Sequence, residues 1–118
     1  MRKILCEQIL ELDKTIRFVG IANLEGKLIA QEYRKGLRSL LTKEESELSA
    51  MQSIIRMGTR KVFEGKLGKT IYAFALYEKV KRATIPLDNA NILMISFDIE
   101  ANHESIILGK ILPHIRKE

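Results

Sequence analysis

The stretch from Thr42 to Gly65 constrains the fold of this chain more than any other. Thr42-Lys43-Glu44-Glu45 has the form of a capping box, with Thr42 as N-cap and Glu45 at the third helical position. Glu44, Glu45 and Glu47 suit the positive end of a helix dipole, and Arg56, Arg60 and Lys61 suit the negative end. Leu48, Met51, Ile55 and Val62 recur at helical spacing, with Gly58 where a further large side chain would stand. Ile54, Met57 and Phe63 widen the apolar side. The pattern predicts a helix from about Lys43 to Glu64, stopped at Gly65.

Strand-like segments flank this helix. Thr15 to Asn23 and Lys27 to Arg34 are joined by Asn23-Leu24-Glu25-Gly26, a turn signal, and read as a β-hairpin. Thr70 to Tyr77 is apolar on both faces, which predicts a central or interfacial strand. Val80 to Leu87 begins with charges, and Pro86 confines it to an edge or a strand end. After the turn at Asp88–Asn91, Ile92 to Ile99 is an apolar strand expected inside the sheet.

Helical periodicity returns at both ends of the chain. Ile4, Leu5, Ile9 and Leu12 give Lys3 to Asp13 the pattern of a short amphipathic helix. Asn102 can cap a last helix whose stripe is Ile107, Leu108, Ile111, Leu112 and Ile115, and Pro113 should bend or end it. The predicted class is α+β in the order α-β-β-α-β-β-β-α. A central five-stranded antiparallel sheet carries the long helix on one face and the terminal helices on the other. No linker or repeat divides residues 1–118, so one domain is expected.

Cys6 is the lone cysteine, which excludes an internal disulfide and a multi-cysteine zinc site and fits a reducing compartment. With no Trp and only three Tyr and four Phe, the core must be aliphatic. No apolar run reaches the ~20 residues needed to span a bilayer, and acidic residues interrupt any N-terminal signal-like run. A cytoplasmic protein is expected.

Nothing in the chain calls for catalysis. Cys6 has no neighbouring histidine, and Ser105, His103 and Glu104 are adjacent helical residues that point apart. Asp98, Glu100, His103 and Glu104 could be metal ligands by type, but carboxylates near a helix start are expected from the dipole alone. Gly65-Lys66-Leu67-Gly68-Lys69-Thr70 ends like a P-loop, yet it follows a helix and opens a strand, the reverse of that motif. No enzyme activity, cofactor or metal is therefore expected.

Charge is more informative. The net charge is +5, and residues 56–82 hold eight basic side chains against two acidic ones. Arg56, Arg60, Lys61, Lys79, Lys81 and Arg82 form a candidate patch for an acidic partner. A nucleic acid stacked on Tyr72 and Tyr77, or an anionic membrane surface, stays open beside it. So does the plain reading of a solvated face.

The hairpin Phe18-Val19-Gly20-Ile21-Ala22-Asn23-Leu24-Glu25-Gly26-Lys27-Leu28-Ile29-Ala30, within this order of elements, resembles the roadblock / dynein light chain family of the profilin-like, longin-related group. The resemblance runs from Ile4 to Ile115. It departs at Asn23, where the family often has Asp, and in the charged strand from Val80. It implies a non-catalytic regulatory or scaffolding module that pairs through its long helix and the neighbouring strand and binds a small GTPase or signalling partner. On this chain the implied homodimer interface is Leu48, Met51, Ile55, Val62, Tyr72 and Phe74. The apolar excess points the same way, since helix and strand offer more area than one small sheet can cover. Two alternatives remain open, a PAS/GAF-like small-molecule sensor and a basic-surface nucleic-acid binder.

Overall fold

The computed structural model describes residues 2–116. Helix α1 (Arg2–Leu10) leads into strands β1 (Ile16–Asn23) and β2 (Leu28–Tyr33). Helix α2 (Lys43–Lys61) and the one-turn α3 (Glu64–Leu67) come next, then β3 (Ala73–Leu76), β4 (Val80–Pro86) and β5 (Asn91–Asp98). A closing helix comprises α4 (His103–Ile106), a π-helical turn (Ile107–Ile111) and α5 (Leu112–Arg116). The strands form one sheet in the order β2-β1-β5-β4-β3, and every neighbouring pair is antiparallel. This is the predicted five-stranded α+β architecture with helices on both faces.

Strand alternation builds two unequal cores. Val19 and Ile21 of β1, Ile85 of β4 and Leu93, Ile95 and Phe97 of β5 meet the terminal helices through Cys6, Ile9, Ile107 and Ile111, all almost fully buried. On the opposite face Ala22, Ile92 and Met94 meet only Ala50 and Met57 of α2, with Phe18, Leu28 and Ile54 at the margin.

The hairpin forms as the sequence predicts, and its turn explains the departure at Asn23. The Asn23 side-chain oxygen accepts from the backbone N–H of Glu25 at 2.9 Å and of Lys27 at 3.1 Å, as a carboxylate would. Gly26 adopts φ +80°, and a Cβ there would lie 2.9 Å from the Cα of Met51, so the turn rests directly on α2. Arg34 then ties the sheet to the end of α1. Its guanidinium donates to the carbonyls of Leu10, Asp13 and Ile16 at 2.7–3.0 Å.

Several expectations need correction. The long helix stops at Lys61, and the chain turns at Phe63 and winds through α3, which contains Gly65. Gly68, at φ +87°, is the terminating residue, and Glu64 holds this end by accepting from the N–H of Gly68 and of Thr70. Two glycines were available, and the one beyond this anchored turn took the left-handed conformation.

Of Thr70–Tyr77 only Ala73–Leu76 pairs, and only with β4, so this segment is an edge strand and not a central one. The charged β4 lies inside the sheet. Pro86 sits at its end, where the missing N–H interrupts little of the ladder. The β4 charges find polar partners. Lys81 Nζ donates to the Ala101 carbonyl at 2.7 Å, and the Arg82 guanidinium donates to Ser49 Oγ at 2.6 Å.

The terminal helices shift their stripes slightly. Ile4 faces solvent, and Cys6 and Leu10 take its place in the core. Asn102 caps α4 through the Ser105 N–H as expected. Pro113 does not end the helix. The π-helical turn just before it widens the backbone where the ring would otherwise meet the Gly109 carbonyl, and the helix continues to Arg116. That extra residue turns Leu108 outward and Ile106 inward.

Candidate interaction surface

The capping box is complete. Thr42 Oγ1 accepts from the Glu45 N–H at 3.1 Å, and the Glu45 carboxylate accepts from the Thr42 N–H at 2.9 Å. Which side of α2 then faces the sheet follows from size. Ser49, Ala50, Ser53 and Met57 are buried, at spacings of one helical turn, while the larger side chains are turned away. Leu48, Met51, Ile55 and Val62 are 55%, 50%, 63% and 77% exposed. Small residues at that spacing were the legible signal for the sheet-facing side, and the apolar pattern outweighed them.

The exposed row does not end with the helix. Phe63, Leu67, Ile71 and Leu76, in the segment that runs through α3 to β3, are also exposed. Phe74 is partly covered by His103, whose ring stacks on it with centroids 3.8 Å apart and planes 7° from parallel. Burial, then the Lys81 ammonium, pushes the His103 pKa down, which favours the neutral ring. Tyr72 packs onto the terminal-helix core, whereas Tyr77 lies on the α2 side, so the two rings share no stacking surface.

The basic residues divide. Arg56, Arg60 and Arg82 line one small recess between α2 and β3–β4, and Lys61 and Lys79 are exposed. Lys81 projects to the other face of the sheet, opposite Phe97 in the ladder and bonded to Ala101. The remaining candidates disperse as well. Burial, then the Glu32 and Glu7 carboxylates, pushes the Cys6 thiol up to about 11, the setting of an unreactive thiol. Asp98 pairs with Arg17 at 3.0 Å, and His103 is stacked on Phe74. Among the described residues no three His, Cys, Asp or Glu side chains converge.

A feature invisible in the sequence is an open groove of about 480 Å³ between the first half of α2, the sheet and the connection from β2. Phe18, Leu28 and Met94 line it from the sheet, Leu48 and Gln52 from the helix, and Tyr33 and Leu41 from the connection. These residues come from separate elements, so no local pattern could announce them.

No protein-family profile matches the chain, and no curated protein sequence does. Solved structures do. A roadblock/LC7 domain from Streptomyces avermitilis superposes with a TM-score of 0.69 at 7% identity, covering 97% of each chain. MglB from Myxococcus xanthus gives 0.74 at 12% identity, covering 98% of this chain and 89% of that one. MglC from the same organism gives 0.61 at 10% identity, over 97% and 95%. The chain therefore has the roadblock/LC7 fold along nearly its whole length.

Proposed function

We propose that the chain is one roadblock-like domain acting as a non-catalytic regulatory or scaffolding module. It pairs with a second copy through α2 and β3 and binds a small GTPase or related signalling protein. The observation that carries this reading is the exposed row on α2. Leu48, Met51 and Ile55 of α2 and Val62 just beyond it face outward, while the helix meets its own sheet through Ser49, Ala50, Ser53 and Met57. An exposed apolar row of this kind favours a partner. The short, unpaired β3 edge lies beside it, and such an edge is a ready template for a further strand.

Likeness of fold to roadblock domains supports the regulatory assignment, and a structure described as MglB with a tetrameric arrangement shows that this fold is compatible with self-association. Exposed Lys61 and Lys79 beside the apolar row would favour an acidic partner surface, and Phe74 and Tyr72 would lie at the margin of the pairing. Among the described residues no helix is long and apolar enough to cross a membrane. The buried thiol of Cys6 is compatible with work in the cytoplasm.

Light scattering tests the pairing. The wild-type chain should run at twice its 13.5 kDa mass, and Met51→Glu with Ile55→Glu should return it to 13.5 kDa. A mass unchanged by the double substitution would refute the interface.

A further inference from the structure

We propose that the groove beside α2 is a binding site for a small amphipathic anion, an acyl or aryl chain ending in a carboxylate or phosphate. The site is divided by chemistry. Its wide part, about 480 Å³, lies within the size range of small-molecule pockets and offers Phe18, Leu28, Tyr33 and Met94 as an apolar bed, with Arg17, Arg38 and Lys79 also on its wall. A recess of about 60 Å³ adjoins it, and Phe18, Tyr77, Arg56, Arg82 and Met94 line both. Arg60 completes the recess.

Three guanidinium groups thus border one small space, and no carboxylate answers them among the described residues. Arg82 donates to the hydroxyl of Ser49 at 2.6 Å, and Arg56 reaches the hydroxyl of Ser53 at 3.4 Å, both neutral partners. The two acidic residues on the groove wall lie elsewhere. Glu45 is engaged in the capping box, and Glu78 belongs to the turn between β3 and β4. Like charges held together beside an apolar surface favour a counter-anion, and the planar guanidinium matches carboxylate and phosphate oxygens in pairs. The anionic head belongs in the recess, and its chain belongs along the wider groove. Leu48 and Phe74 belong to both this site and the pairing surface, whereas Met51, Ile55 and Val62 line neither groove nor recess.

Titration of the full chain with octyl phosphate and with octanoate, followed by amide NMR, tests it. Saturable shifts are expected at Ser53, Tyr77, Arg82 and Thr84 with either ligand, and the two differ only in which head group binds more tightly. Octanol, which lacks the charge, and inorganic phosphate, which lacks the chain, should each bind at least about tenfold more weakly. Arg60→Met and Arg82→Met should each cost about tenfold in affinity for octyl phosphate. If Arg82→Met unfolds the protein by releasing Ser49, Arg60→Met and Arg56→Met still decide the question. Octanol or phosphate binding as tightly as octyl phosphate would overturn the proposal. So would arginine variants of unchanged affinity, or shifts confined to Met51, Ile55 and Val62. Those residues report the pairing surface, and the mass measurement reads that surface separately.

Discussion

The two faces of the sheet are built to different standards. On the terminal-helix face, large aliphatic side chains and Phe97 interlock with α1 and the closing helix, and almost nothing there reaches solvent. On the α2 face the core is five residues, two of them alanines, and the space that larger side chains would fill is left as the groove. The same sheet therefore has one densely packed face and one loosely covered face. The difference comes from α2, which presents Ser49, Ala50, Ser53 and Met57 to the sheet and turns Leu48, Met51 and Ile55 outward.

This contrast can be broken most directly at Phe97. Phe97→Ala should cost about 3–5 kcal/mol in urea unfolding, because the densely packed face cannot collapse around the cavity. Met57→Ala on the α2 face should cost less, about 2 kcal/mol, since its surroundings already border open space. Equal losses at the two sites would remove the distinction. Thr42→Ala, which opens the capping box of the less anchored helix, should cost about 1 kcal/mol by the same measurement. Met51→Glu should change the unfolding free energy of an isolated chain by no more than about 0.5 kcal/mol, because its side chain is half exposed.

A pH dependence belongs to the terminal-helix face. Donation from the Thr15 hydroxyl, then from the Thr15 N–H and the Lys110 ammonium, holds the Asp13 carboxyl down to about 2 from an ordinary 3.8. A depressed folded-state pKa stabilises above the ordinary value and loses that contribution as pH falls through the folded one. Wild-type stability should therefore decline between about pH 4 and pH 2 more steeply than that of Asp13→Asn. Parallel urea midpoints for the two proteins across that range would show that the Asp13 contacts contribute nothing.

Much of this architecture was written in local pattern. The capping box at Thr42, the hairpin turn at Asn23–Gly26, the apolar run from Ile92 and the Asn102 cap each depend on residues a few positions apart, so reading them needs no knowledge of the fold. What misled was composition read without neighbours. The greasy strand Ala73–Leu76 took the edge and the charged strand Val80–Pro86 took the interior, because Lys81 and Arg82 found partners in Ala101 and Ser49 that lie 20 and 33 residues away.

Hydrophobic periodicity was enough to specify that a long helix must exist and that one side of it would be rich in apolar residues. Which side meets the sheet could not be specified this way, because the helix packs on the sheet through Ser49, Ala50, Ser53 and Met57, a choice made only once the elements meet. The groove and the adjoining recess with its three arginines depend entirely on that packing. They come from α2, β4 and the sheet floor, and a concave surface made from distant segments has no linear signature.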